Sequence, residues 1–277
     1  MNSFKLLAMT LLTSLSASAQ QPVYLDTRQP LETRVEDALK RMTTHEKIGM
    51  IHAQSKFTSA GVPRLGIRQL AMDDGPHGVR EELEWNSWQP AGWTNDYIVA
   101  FPSLTCLAAT WNPALAQLYG HTVSEEFAFR GKDVMLGPGV NIARTPLNGR
   151  NFEYMGEDPY LSSTMVVPYI KGAQDNGVGV CVKHFALNEQ EIDRFSVNVN
   201  VDERTLNEIY LAPFKAAVQK GHAWTVMASY PFWNGVHCCQ NNHLLNDILK
   251  KQWGFDGAVI SDWGGTTDTE QAATGGL

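Results

Sequence analysis

The stretch Gly257-Ala258-Val259-Ile260-Ser261-Asp262-Trp263 decides how the rest of the sequence is interpreted. Small and β-branched residues at 258–260, bounded by glycine on both sides, predict a short strand of a buried parallel sheet. Asp262 then lies at the carboxyl end of that strand, where alternating β/α proteins place their reactive groups. A carboxylate there can be a nucleophile, a metal ligand or a general base, or it can simply cap the next helix.

Length and composition narrow the classes of protein to consider. The chain has 277 residues, of which 43% are hydrophobic, and a formal net charge of −7. This length suits one α/β barrel or two smaller domains. The negative charge argues against nucleic acid or an anionic membrane surface as the main partner.

Residues 1–19 have the pattern of a targeting segment. Lys5 precedes the apolar run 6–12, and Ala17-Ser18-Ala19 matches a small-residue cleavage site. We therefore expect a signal peptide over 1–19, a mature domain over 20–277, and a secreted or periplasmic protein. The apolar run is too short to span a membrane, and no second run of spanning length follows.

Strand and helix patterns alternate along the remaining sequence. Apolar runs predict strands near 68–72, 134–137, 178–182, 224–228 and 258–260, and amphipathic segments between them predict helices. Helix caps are predicted at Thr43, Asn112, Asp202 and Asn242. We expect an α/β fold of the (β/α)8 TIM-like barrel type, lacking its last strand because the chain ends early. A doubly wound open sheet is the alternative.

The predicted strand ends carry a distinctive set of polar side chains, namely Asp74, Arg150, Lys183, His184, Tyr230 and Asp262. The sequence contains no glycine-rich phosphate loop, serine nucleophile elbow or His-Glu-x-x-His motif. Charged side chains bind hydroxyl groups through strong hydrogen bonds, and nearby tryptophans can stack on sugar rings. The set therefore favours a neutral, polyhydroxylated ligand and no metal or cofactor.

Five ordered sequence blocks resemble the signatures of glycoside hydrolase family 3. They are Asp74-Gly75-Pro76-His77-Gly78, the segment 149–159, Lys183-His184-Phe185, Met227-Ala228-Ser229-Tyr230 and Ile260-Ser261-Asp262-Trp263. The resemblance covers the chain from about residue 31 onward. It implies a retaining, exo-acting β-glycosidase, most often a β-glucosidase or a β-xylosidase, that acts on oligosaccharides or other β-glycosides.

The resemblance also implies a role for each matched residue. Asp262 matches the nucleophile that forms a covalent glycosyl intermediate, and Trp263 matches an aromatic wall beside the sugar. Tyr230 matches the tyrosine next to the nucleophile, and Glu153 would orient a neighbouring cation. The residues matching those that hold the hydroxyls of the terminal sugar are Asp74, Arg150, Lys183 and His184.

Retaining hydrolysis also needs a second carboxyl group as acid and base. Two-domain members of the family supply it from a later α/β domain, and the histidine that replaces it in another branch has no counterpart after Phe185. We therefore expect an N-terminal fragment that lacks the acid/base and has little activity alone. Two further alternatives are a sugar-binding protein without turnover and a metal-dependent barrel hydrolase, although only His77 and His184 lie near strand ends as possible metal ligands.

Two features have no assigned role at this point. Trp85, Trp88 and Trp93 lie in a long loop over 81–103, where we interpret them as loop packing rather than sugar platforms. Glu189 stands where related glucosidases commonly have asparagine. Its carboxylate either alters a sugar subsite or lies at the surface.

Overall fold

The computed structural model describes residues 21–277. The predicted signal peptide therefore lies outside the described residues. Within 21–277 no helix combines the length and the apolar composition that crossing a bilayer requires.

Nine strands and eight α-helices make up the described fold. The strands are β1 (Thr58–Ser59), β2 (Leu70–Asp74), β3 (Val134–Leu136), β4 (Gly179–Phe185), β5 (Asn198–Val199), β6 (Thr225–Ala228), β7 (Phe232–Trp233), β8 (Val236–His237) and β9 (Ala258–Ser261). The helices are α1 (Leu31–Arg41), α2 (Thr44–Met50), α3 (Leu104–Ala108), α4 (Pro113–Phe129), α5 (Pro159–Gln174), α6 (Glu203–Thr205), α7 (Ala212–Gln219) and α8 (Thr269–Gly275). Two further helices, Leu206–Tyr210 and His243–Gln252, have π-type hydrogen bonding.

The main sheet contains the five strands that the sequence predicts. Its order is β1-β2-β3-β4-β6-β9, in which β2 to β9 run parallel and β1 is antiparallel to β2. The parallel strands follow chain order without a reversal, whereas a doubly wound sheet reverses at its switch point. The strand order therefore supports a barrel-type winding over the open-sheet alternative. A smaller sheet has the order β5-β7-β8.

The main sheet curls until its two edges approach each other at the carboxyl ends of the strands. Trp263, just after β9, donates a hydrogen bond from its indole Nε1 to the carbonyl oxygen of Lys56, just before β1, over 2.7 Å. The Trp263 ring also lies 5.2 Å from the Phe57 ring. The described residues thus form a curled partial barrel with five parallel strands, two fewer than a barrel that lacked only its last strand would have.

Helices α4 and α5 pack against each other unusually closely. A Cβ atom at Gly172 of α5 would lie 2.1 Å from the carbonyl oxygen of Gln117, and one at Gly120 of α4 would lie 2.1 Å from that of Tyr169. Only glycine allows the two backbones to come this near. This helix pair contributes side chains such as Phe127 to the core that covers the outer face of the sheet.

Most of the predicted helix caps are confirmed. Thr43 forms a capping box with Glu46, and Asn112 and Asp202 accept hydrogen bonds from the first turns of their helices. The prediction at Asn242 is wrong: Asn241 Oδ1 accepts from the Leu244 amide over 3.0 Å, whereas Asn242 makes no capping bond. Asn242 already has a helical backbone, so only the extended residue before it can direct its side chain at the first turn.

Candidate active site

A cavity of about 380 Å³ lies at the carboxyl ends of the parallel strands. It brings together seven predicted site residues: Asp74, Arg150, Lys183, His184, Tyr230, Asp262 and Trp263. Glu153 is not part of the lining but forms an ion pair with Arg150, and its role in orienting that cation stays a prediction. Parallel strands place their carboxyl ends at one edge, which explains why residues far apart in sequence converge here.

Asp262 lies in this cavity with one oxygen atom uncommitted. Its side chain is buried, with 7% of the residue exposed, and Oδ1 accepts a 2.8 Å hydrogen bond from the Trp263 amide. Oδ2 is buried but has no hydrogen-bond partner. Asp262 does not cap a helix, because Asp268 is the N-cap of α8. Buried polar atoms without a partner are uncommon and often belong to functional sites.

Burial raises the pKa of Asp262 above the usual value for aspartate. The nearby Tyr230 hydroxyl, Lys183 and Arg150 act in the opposite direction, since a hydroxyl dipole and positive charges favour the carboxylate, although the Tyr230 hydroxyl lies outside normal hydrogen-bond geometry to Oδ2. The pKa stays above its usual value because the loss of hydration outweighs the effect of these neighbours.

His184 is held as a neutral ring of defined tautomer. Burial, followed by the charges of Arg150 and Lys183, lowers its pKa well below the usual value for histidine. Arg150 Nη2 lies 2.9 Å from His184 Nε2, and a guanidinium group can only donate. Nε2 is thus the acceptor, and the proton resides on Nδ1, 3.2 Å from the Tyr154 hydroxyl. His184 therefore leaves Asp262 Oδ2, 3.7 Å from Nε2, without a hydrogen-bond donor.

The two cations Lys183 and Arg150 form ion pairs with neighbouring carboxylates. Lys183 Nζ lies 3.5 Å from Asp74 Oδ1 and 4.0 Å from Glu153 Oε2. Arg150 contacts Glu153 directly and has Glu191 Oε1 3.8 Å from its Nη1. Such pairing holds long side chains in place, so their remaining donors are preorganised for hydroxyl groups.

Sequence reasoning missed two arginines of this site. Arg194 lines the cavity, stacks 4.7 Å from the centre of the Tyr230 ring and donates to Glu191 over 2.6 Å. Arg80 lies 3.4 Å from Asp74 Oδ2. Neither arginine belongs to a strand end or to one of the quoted motifs, so no local signal pointed to them.

The backbone of His184 is held by the buried side chain of Asn141, which in turn contacts the buried acid Glu189. Asn141 accepts from the His184 amide over 2.7 Å and donates to the His184 carbonyl over 3.0 Å. Its Nδ2 also donates to Glu189 Oε1 over 3.3 Å. Glu189 is thus buried, not at the surface, and burial raises its pKa to about 8. Neither Asn141 nor Glu189 lines the cavity.

The tryptophans of the loop 81–103 differ in their surroundings. Trp85 and Trp93 are exposed and do not line the cavity, whereas Trp88 does. Trp88 packs against the Phe57 ring, as the loop-packing interpretation expects, and also borders the cavity. Residues 21–277 contain no cluster of three or more histidine, cysteine or acidic side chains arranged to hold a metal ion.

Comparison with known proteins identifies the family. Residues 34–274 match the model of the family described as "Glycosyl hydrolase family 3 N terminal domain". The chain belongs to glycosyl hydrolase family 3. Its curated family relatives include "Beta-glucosidase BoGH3A" of Bacteroides ovatus, 60% identical over 258 residues, or 93% of this chain and 34% of the relative. An "Exo-alpha-(1->6)-L-arabinopyranosidase" of Bifidobacterium longum is 40% identical, covering 87% of this chain and 32% of that protein.

Solved structures of the family have the same fold in this region. A structure of β-glucosidase 3B from Thermotoga neapolitana in complex with glucose superimposes with a TM-score of 0.80 at 38% identity, over 87% of this chain and 35% of that one. The β-glucosidase of Kluyveromyces marxianus in complex with glucose gives a TM-score of 0.82 at 38% identity, over 88% and 28%. This family-3 chain spans about a third of the length of the curated relatives it matches.

Proposed function

We propose that this family-3 chain carries the nucleophile and sugar-binding half of a retaining, exo-acting β-glycosidase, with β-glucosidase as its activity. The observation that carries the proposal is the buried, unpartnered Oδ2 of Asp262 in a cavity lined by Lys183, His184 and Arg150. Asp262 attacks the anomeric carbon of the terminal sugar, the bond to the leaving group breaks, and water later hydrolyses the glycosyl–Asp262 ester.

The other predicted site residues bind the terminal sugar in this proposal. Asp74, Lys183 and Arg150 bond its hydroxyls with the donors and acceptors that their ion pairs leave free, and His184 borders the sugar while its Nε2 holds the Arg150 guanidinium in place. Tyr230 and Trp263 border the nucleophile. Positive charge develops at the anomeric carbon in the transition state. The Asp262 carboxylate therefore stabilises the transition state more than it stabilises the bound substrate.

The acid/base has no candidate among the described carboxylates around the cavity. Asp74 contacts Lys183 and Arg80, Glu153 contacts Arg150, and Glu191 contacts Arg194. A carboxylate held by cations is ill suited to donating a proton. We therefore expect the acid/base from a further α/β domain of a longer polypeptide, consistent with the greater length of the relatives. We also propose that residues 1–19 direct the protein to a secreted or periplasmic location.

The names of the relatives support glucosides over xylosides as the substrates of this chain. The 60% identical relative is a "Beta-glucosidase", and two of the similar structures are complexes with glucose. A relative that is 40% identical is named for the hydrolysis of arabinopyranosides, so relatives at this level of identity differ in the sugar for which they are named.

Covalent trapping tests the proposal. A 2-deoxy-2-fluoro-β-glucoside with a dinitrophenolate leaving group needs no acid, and the fluorine slows hydrolysis of the ester. Incubation with this reagent should label the peptide that contains Asp262, as measured by mass spectrometry. The Asp262→Asn variant, which keeps the size of the side chain, should remain unlabelled.

Binding of the reagent without labelling would contradict the nucleophile assignment and favour the sugar-binding protein instead. Labelling of another carboxylate would place the nucleophile elsewhere in the cavity. Parallel titration with glucose separates these outcomes from a failure to bind sugar at all.

A further inference from the structure

A hairpin of residues 82–91 brings Trp88 to the candidate active site. The Glu84 amide donates to the Gln89 carbonyl over 2.9 Å, and the Ala91 amide donates to the Glu82 carbonyl over 2.7 Å. Two contacts fix the hairpin to the sheet. Lys132, just before β3, bonds Glu82 Oε2 over 2.6 Å, and the Lys56 amide donates to the carbonyl of Trp85 over 3.1 Å. The hairpin is therefore a supported element of the cavity wall.

Trp88 continues a row of aromatic rings that begins at the nucleophile. Trp263 follows Asp262 directly, its ring lies 5.2 Å from that of Phe57, and the Phe57 ring meets Trp88 edge-on at 5.9 Å. Lys56 Nζ lies 4.8 Å from the centre of the Trp88 ring, which adds a cation–π contact. These contacts position the indole, although 49% of Trp88 stays exposed.

The chemistry of the cavity changes with depth. The side chains next to Asp262 are polar and buried, with 3% of Lys183 and 1% of His184 exposed. The exposed lining is aromatic, and consists of Trp88 and of Phe195, whose ring packs 4.5 Å from that of Tyr230. A terminal sugar with its hydroxyls would fit the buried polar end. The group on the other side of the scissile bond would then point toward the exposed aromatic end.

We infer that Trp88 is a specificity-determining residue that binds a ring-shaped leaving group, either the next sugar of the substrate or an aryl group, by stacking. This inference rests on the proposed function, because it takes Asp262 to mark the scissile bond. Sugar rings and aryl groups both present an apolar face to an indole, and the buried face removes water from both partners. Because Trp88 lies at the exposed end of the cavity and Lys183 and His184 at the buried end, we expect its contribution to be confined to the leaving group.

Non-hydrolysable thioglycosides test this inference by calorimetric titration of the chain. Methyl 1-thio-β-glucoside carries only the terminal sugar, phenyl 1-thio-β-glucoside adds an aryl ring, and thiocellobiose adds a second sugar. Trp88→Ala should weaken binding of the phenyl glycoside or thiocellobiose about fivefold and leave that of the methyl glycoside unchanged. Trp88→Phe, which keeps a stacking ring, should restore most of the lost affinity.

Trp93→Ala is the matched control, because Trp93 is exposed in the same loop but does not line the cavity. It should change none of the three affinities. The inference is overturned if Trp88→Ala leaves both ring-bearing ligands unaffected, or if it weakens all three ligands equally. Wild-type protein that binds none of the ligands would overturn the proposed function as well, whereas intact binding of the methyl glycoside leaves that function standing.

Discussion

Burial dominates the ionisation of the residues around the nucleophile. It raises the pKa of Asp262 and Glu189 and lowers that of His184, because a dry environment disfavours the charged form of either sign. Asp262 is thus less stable as an anion in this buried position than in water, which is the kind of local penalty that functional sites carry. Its unpartnered oxygen and its shifted pKa have the same physical origin.

Glu189 makes the stability of the protein depend on pH. Its pKa rises from 4.5 to about 8 on folding, so the folded protein keeps a proton that the unfolded chain has lost between these values. The stabilisation of the folded protein by this retained proton is complete below pH 4.5 and is lost as the pH rises to about 8. Glu189→Gln keeps an acceptor for Asn141 and removes the titration. At pH 8 the free energy of unfolding of this variant should therefore exceed that of the wild type by an amount on the order of 4 kcal/mol.

Urea denaturation of both proteins at pH 5 and pH 8 measures this difference. Asp73, whose pKa burial raises to about 7, is present in both proteins and cancels in the comparison. A stability difference of the same size at the two pH values would show that Glu189 does not titrate in this range.

At the scale of elements, the glycines between α4 and α5 set how closely the helices approach. Gly172→Ala places a methyl group 2.1 Å from the Gln117 carbonyl oxygen, which backbone movement alone can relieve. We expect the free energy of unfolding to fall by about 2–4 kcal/mol, as measured by chemical denaturation.

Gly49→Ala is the control for this substitution. Gly49 lies in α2, and a Cβ there would meet its nearest atom, the Cβ of Ala60, at an ordinary 3.6 Å. Alanine should stabilise this helix by about 0.5–1 kcal/mol, since it restricts the unfolded chain more than glycine does. Equal effects of the two substitutions would contradict the close-packing interpretation.

At the scale of the whole molecule, one hydrogen bond joins the two edges of the curled sheet. Trp263→Phe keeps an aromatic ring against Phe57 but removes the indole donor to the Lys56 carbonyl. The free energy of unfolding should decrease by about 1 kcal/mol, because the carbonyl loses its partner in a half-buried position.

Thermal or urea unfolding of Trp224→Phe provides the comparison. Trp224 is half exposed just before β6, and its replacement should change stability by less than about 0.5 kcal/mol. If both tryptophan variants lose the same stability, the edge-to-edge hydrogen bond contributes nothing beyond the indole's packing.

Local patterns in the sequence were sufficient for the elements and for the core of the site. Apolar runs located the five parallel strands, and the residues that follow them contained seven members of the cavity lining. These inferences succeed because strand period, cap chemistry and strand-end position are properties of neighbouring residues. The error at Asn242 was a shift of one residue, within a motif that two adjacent asparagines satisfy equally well in sequence.

Contacts between distant segments had no such signal and emerged only when the chain was folded. Arg194 reaches the cavity from an irregular loop, Trp88 reaches it on a hairpin anchored by Lys132, and Glu189 is buried against Asn141. The number of strands also differs from expectation, and the net pKa shift of Asp262 depends on its burial in the folded chain. Curvature and desolvation are sums over many through-space contacts, so they depend on how the segments pack and not on the order of residues along the chain.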